Sequence, residues 1–124
     1  MSNIKSLLKS VGHACNGLKI AFKSERSFRI QVLFAAIVVV MIFVIPLEIW
    51  ERAILLLVTM LVLMLELLNS SLERLVDLAK PRLHVYAGEI KDLMAASVLV
   101  AALFALLVGI LILGPKIADI AMRI

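Results

Sequence analysis

Apolar residues fall in three long runs, each a candidate to cross a bilayer and none alternating in the manner of a strand. The first extends from about Ile30 to Leu47 and closes on Pro46 and Glu48. The second helix runs from about Glu51 to Asp77, with its apolar part over 53–72. The third runs from about Leu93 to Leu113, where Ser97 is the one side chain with a strong hydrogen-bonding group. Gly114-Pro115 after it reads as a helix stop. Ahead of the first run, Ile4, Leu7, Leu8, Val11, Cys15, Leu18 and Phe22 recur at helical spacing and form a narrow apolar face. Lys5, Lys9, Asn16, Lys19 and Lys23 flank it. An apolar stripe edged with lysine predicts an amphipathic helix over about 3–26, lying in the interface of an anionic leaflet. The same face would also suit packing on another subunit. The pattern predicts an all-α membrane protein, a surface helix followed by three spans (30–47, 53–72, 93–113), in one domain over 1–124.

Composition agrees with this reading. Of 124 residues 64% are hydrophobic, well above the roughly 50% of a soluble domain, and mean hydropathy is +1.13. A single cysteine, Cys15, excludes an intrachain disulfide framework, and with two distant histidines it leaves no zinc-ligand cluster. Cys15 reads as an inert packing residue. No signal-peptide pattern is visible, since about thirty polar and amphipathic residues come before the first apolar run. Net charge is +4, and its placement is more informative than its size. Ten of the 13 Lys and Arg residues precede the first span or lie between the second and third. The positive-inside rule then puts the N-terminus and the second loop in the cytoplasm and the C-terminus outside.

The second span breaks its own pattern. Ala53 to Leu65 rises only about 20 Å, against the roughly 30 Å of a hydrocarbon core. To cross, the helix must continue through Glu66 and Asn69 to about Leu72. An ionisable group at that depth is costly and marks a functional site by default. Glu66, Asn69, Ser70, Glu73 and Asp77 share one helical face, a stripe running from inside the membrane to its cytoplasmic surface. Glu66, the deeper carboxylate, suits a general base. Glu73, about 10 Å along the helix and nearer water, suits a hard cation such as Mg²⁺. Asn69 lies between them, able to hydrogen-bond a carboxylate or a phosphate. The competing reading is a polar seam that holds helices together.

Two further groups share the cytoplasmic level. Glu25, in Ser24-Glu25-Arg26-Ser27-Phe28-Arg29, lies at the depth of Glu73, so the two could share a metal. Lys91-Asp92 opens the third span, where a lysine can meet phosphate and an aspartate favours a helix start. Both also fit ordinary juxtamembrane charges. Gly12-His13-Ala14-Cys15-Asn16-Gly17-Leu18-Lys19 imitates a phosphate-binding loop. Its lysine is one place late, no Ser or Thr follows and no strand precedes it, so that reading fails.

Glu66-Leu-Leu-Asn69-Ser-Ser-Leu-Glu73, then Asp77, His84 and Ala87-Gly-Glu-Ile-Lys91-Asp92, resemble the signature of the prokaryotic diacylglycerol kinase family, which includes undecaprenol kinases. Asn16-Gly17-Leu18, Glu25-Arg-Ser-Phe28-Arg29 and the order of the spans extend the resemblance over nearly the whole chain. It implies a homotrimer with active sites shared between neighbours in the bacterial cytoplasmic (inner) membrane, transferring the γ-phosphate of MgATP to a lipid hydroxyl. Its partners would be ATP, a membrane lipid and sister subunits, with no nucleic acid. By this resemblance Glu66 is the base, Glu25 and Glu73 bind Mg²⁺, Asn69 positions groups beside Glu66, and Lys91 contacts phosphate. Asp92, Asp77, His84 and Arg29 lie around the nucleotide, and the surface helix contributes His13. Departures from the family pattern are His13 for a frequent tyrosine, Asn16 for a frequent lysine, Gln31 for a frequent carboxylate, and Ala95-Ala96. They bear on nucleotide affinity and lipid choice and leave Glu66, Asn69 and Glu73 intact.

The acceptor implied first is diacylglycerol, giving phosphatidic acid, because Glu66-Leu-Leu-Asn-Ser-Ser is nearer that branch. Undecaprenol is the alternative, toward which Leu113-Gly114-Pro115-Lys116 and the Ala-rich start of the third span lean. A non-enzymatic conduit lined by Glu66 and Glu73 would need a polar path across the membrane. The outer half of the second span offers only Thr59.

Overall fold

The computed structural model describes residues 2–124. They form four α-helices in sequence: α1 (Ser2–Ser24), α2 (Arg26–Val44), α3 (Ile49–Leu83) and α4 (Tyr86–Arg123). The last three are long and apolar enough to cross a membrane. At 1.5 Å per residue α3 and α4 measure about 52 and 57 Å, so both outrun the hydrocarbon and carry polar ends beyond it. α3 packs against α4 along much of its length and against α2 on another side. α1 meets α2 and, at its last residue Ser24, Arg74 of α3.

Helix boundaries follow from local chemistry. Glu25 alone interrupts α1 and α2, in an extended conformation with φ −113° and ψ 108°. The first span stops at Val44, three residues short of the expected Leu47. Pro46 forces the residue before it out of the helical region, and Ile45 is extended with φ −84° and ψ 137°. α3 then starts on a capping box, in which Glu48 and Glu51 each accept a hydrogen bond from the other's backbone. α3 runs past Asp77 to Leu83, through Pro81, and is ended by His84, whose φ of 41° lies in the left-handed region.

The expected stop at Gly114-Pro115 does not occur. α4 continues through both residues to Arg123. A proline inside a helix deletes one hydrogen bond, and its ring crowds the preceding residue. Gly114 has no Cβ to meet that ring, and membrane helices tolerate the lost bond. Lys116, one residue beyond, lies 3.9 Å from the Glu51 carboxylate, which ties the extension back to the start of α3.

Buried apolar residues occur along the whole bundle, from Ala21, Phe28, Val76 and Ala87 to Leu113. Ile42, Ile45, Leu55 and Leu113 form a cluster where α2 turns into α3 beside α4. From there a groove of about 530 Å³ runs between α2, α3 and α4. Its walls include Phe34, Ala35, Leu55 and Leu113, and the polar side chains on it are Thr59 and, toward the opposite end, Gln31. The outward faces of the spans are covered with Leu, Val, Ile and Phe, as hydrocarbon requires.

Candidate active site

The polar stripe of α3 is where the three buried polar residues divide. Glu51 belongs to the cap at the far end, while Glu66 and Ser70 lie one turn apart in the stripe. Glu66 is only 5% exposed. Its Oε2 accepts a hydrogen bond of 3.2 Å from Nε2 of Gln31 on α2. The other amide atom, Gln31 Oε1, is buried without a partner, and so is Asn69 Oδ1 on the next turn of α3. Buried acceptors are almost always satisfied. Two orphans flanking one carboxylate describe a pocket shaped for a donor, such as a hydroxyl.

Ser70 carries the network to the membrane surface. Its hydroxyl donates to Glu25 Oε1 at 2.9 Å, so Glu25 reaches across to α3 instead of capping its own helix, where it makes no side-chain cap bond. Arg74 closes over this pair. Its guanidinium donates to the Ser70 hydroxyl, to the Ser70 carbonyl at 3.3 Å and to the Ser24 hydroxyl at 2.9 Å, and stands 3.6 Å from Glu25 Oε1. Farther out, Lys91 on α4 pairs with Asp77 on α3 at 2.6 Å. Glu73 is half-buried between these groups, and the charges of Glu25 and Glu73 both act on Glu66.

The fold therefore draws Glu25, Glu66, Asn69, Glu73, Asp77 and Lys91 to one end of the bundle. It treats the other expected residues differently. Arg29 is engaged at the end of α1, donating to the Phe22 and Lys23 carbonyls at 2.8 and 3.0 Å. His13, His84 and Asp92 are exposed and outside this network. Gln31 and Arg74 are the residues that sequence reasoning did not place in the site. Gln31 is visible there only as a departure from a family pattern, and Arg74 only as a positive charge. Their partners lie 35 to 50 residues away along the chain, beyond the reach of any spacing rule. Among the described residues no group of three His, Cys, Asp or Glu comes together to hold a metal ion.

Comparison with known proteins accounts for the arrangement. The family model for prokaryotic diacylglycerol kinase matches residues 12–113. A diacylglycerol kinase of Synechocystis sp. is 37% identical over 116 residues, an alignment covering 93% of this chain and 66% of that protein. The undecaprenol kinase of Bacillus subtilis is 33% identical over 116 residues, covering 94% of each chain. The diacylglycerol kinase of Escherichia coli K12 is 30% identical over 107 residues, covering 86% of this chain and 88% of its own. The chain spans nearly the full length of the last two and just under two thirds of the first. The match takes in all four helices and every residue of the buried network, and on that ground the chain belongs to the prokaryotic diacylglycerol kinase family.

Proposed function

We propose that this protein is a membrane lipid kinase that moves the γ-phosphoryl group of ATP to a lipid hydroxyl, with diacylglycerol as acceptor and phosphatidic acid as product. The observation that carries the proposal is Glu66. It is a carboxylate buried at membrane depth, held by Gln31 and flanked by two unpartnered acceptors. A lipid hydroxyl entering there donates its proton to Glu66. Its oxygen then attacks the γ-phosphorus while the bond from that phosphorus to the β,γ-bridging oxygen breaks, and ADP leaves. Phosphoryl transfer needs positioning and charge neutralisation more than covalent help. The stack from Glu66 outward supplies both: a base inside the leaflet, carboxylates at its edge, and Lys91 at the surface to meet phosphate.

Glu25 and Glu73 are the residues that would hold Mg²⁺, which screens the charge of the transferring phosphates. Their carboxylates would suit a hard cation that arrives on the nucleotide. Asn69 orients the acceptor beside Glu66. Asp77, Asp92, His84, Arg29 and His13 surround the nucleotide, the last from an amphipathic α1 lying on the cytoplasmic leaflet. Charge sorting supports an N-terminus in the cytoplasm and a C-terminus outside. The chain acts as one domain and assembles as a homotrimer, with each site shared between neighbours.

Undecaprenol is the second reading for the acceptor, favoured by the 94% mutual coverage with the Bacillus subtilis undecaprenol kinase. The deciding assay offers diacylglycerol and undecaprenol separately in mixed micelles with MgATP and follows labelled lipid. Phosphatidic acid as the preferred product is expected. Preference for undecaprenol would reassign the acceptor, and no labelled product from either lipid would refute the kinase reading.

A further inference from the structure

Arg74 is a cation parked on a carboxylate that the proposed reaction needs for something else. Of the atoms around its guanidinium, Glu25 Oε1 is the charged one; the rest are the Ser24 and Ser70 hydroxyls and the Ser70 carbonyl. Glu25 Oε1 also accepts from Ser70 at 2.9 Å. One turn along α3 the same motif recurs, with Lys91 resting on Asp77 at 2.6 Å. The rim thus presents two cations, Arg74 of α3 and Lys91 of α4, each paired with one carboxylate. Arg74 is not tightly enclosed, since its side chain is 48% exposed. A long side chain half in solvent, anchored mainly by neutral groups, can leave its resting place at small cost.

A divalent cation and a guanidinium on the same carboxylate repel each other and compete for its charge, and Glu25 Oε1 is already engaged by Ser70 and Arg74. Arginine's planar fork also matches phosphate oxygens better than the single carboxylate oxygen it rests on here. We propose that Arg74 is a phosphate-binding residue that stands in for the metal at Glu25 and exchanges that carboxylate for the polyphosphate when MgATP arrives. In the nucleotide-free protein Arg74 keeps Glu25 turned toward α3 and neutralised. On binding, Glu25 passes to the nucleotide's metal and Arg74 to the phosphates, so each charge finds a new partner and none is left bare. The exchange rests on the kinase reading above.

The test is calorimetric titration of the full-length protein in micelles with a non-hydrolysable ATP analogue and Mg²⁺. Arg74→Met removes the charge, and Arg74→Lys keeps a charge for Glu25 but loses the fork. Ser24→Ala removes one resting anchor. Exchange requires Arg74→Met to weaken binding by about tenfold to a hundredfold, the scale of a charged hydrogen bond, and Arg74→Lys by a smaller factor. Ser24→Ala should leave affinity unchanged or tighter while lowering the thermal midpoint. If Arg74 is only a staple between α1 and α3, both Arg74 variants bind the analogue as the unsubstituted protein does, and the exchange is overturned. Equal weakening in Ser24→Ala and Arg74→Met would overturn it as well, since general loosening would then explain both. An unsubstituted protein that binds no analogue would instead sink the kinase reading, and the exchange with it.

Discussion

Helix α3 buries two carboxylates, Glu51 in its first turn at 7% exposure and Glu66 at its middle at 5%. They are fifteen residues, or about 22 Å, apart. Burial alone does not distinguish them; their partners do. Glu51 is satisfied locally. It accepts from the Glu48 backbone at 2.9 Å in a capping box, and Lys116 stands 3.9 Å away. At the same end of the bundle Ile42, Ile45, Leu55 and Leu113 form a buried apolar cluster. Glu66 has no such local solution. Its partner comes from another helix, and the polar atoms next to it are left without partners. Unpartnered buried atoms occur near both, but beside Glu51 in sequence the atom is a donor, Arg52 Nε, whereas those at Glu66 are acceptors, Gln31 Oε1 and Asn69 Oδ1, set up to receive a donor such as a hydroxyl.

Substitutions along α3 can break or sharpen this contrast. The largest effect belongs to Glu66→Gln, which keeps the shape and removes the base. Turnover should fall by about 10²–10⁴-fold with nucleotide binding retained, as read by single-turnover labelling and calorimetry. Next is Leu55→Ala in the outer cluster. Leu55 is 2% exposed, and its truncation should cost about 2–5 kcal/mol of stability in denaturant titration in micelles. The activity of the folded fraction should be unaltered.

Gln31→Ala comes third. It deletes the hydrogen bond to Glu66, and kcat should drop by about tenfold, the scale of one charge-assisted bond. KM for ATP should stay the same, because Gln31 bonds Glu66 and borders the apolar groove between the helices. A rise in KM for ATP alone would mean that Gln31 serves the nucleotide. The smallest effect is that of Glu51→Gln. Glutamine still offers an acceptor to the Glu48 N–H, and the 3.9 Å pair with the partly exposed Lys116 is the part lost, so the cost is about 1 kcal/mol or less. A modest fall in thermal midpoint with unchanged kcat is expected.

Much of this was legible in the sequence. The spans stand out because hydrocarbon tolerates little besides apolar side chains, and Glu66 stands out for the same reason. The helical period put Asn69, Ser70, Glu73 and Asp77 on its face. Helix ends were harder to read. Pro46 did stop α2, and Ile45 just before it is extended. Pro115 did not stop α4, where Gly114 gives its ring room and Lys116 has a partner on α3, and α3 runs through Pro81. The same residue type gives opposite outcomes, so proline by itself does not mark a helix end. The pairings across helices were not legible at all. Gln31 with Glu66 and Ser70 with Glu25 join residues 35 and 45 positions apart, and packing alone brings them together.

The most direct measurement compares Glu66→Gln with Glu51→Gln in one assay, following a single turnover of phosphoryl transfer from MgATP to diacylglycerol in mixed micelles. Loss of transfer in Glu66→Gln, with a near-normal rate in Glu51→Gln and nucleotide binding intact in both, is the predicted result. A Glu66→Gln protein that phosphorylates lipid as fast as Glu51→Gln would contradict the assignment of Glu66 as the base.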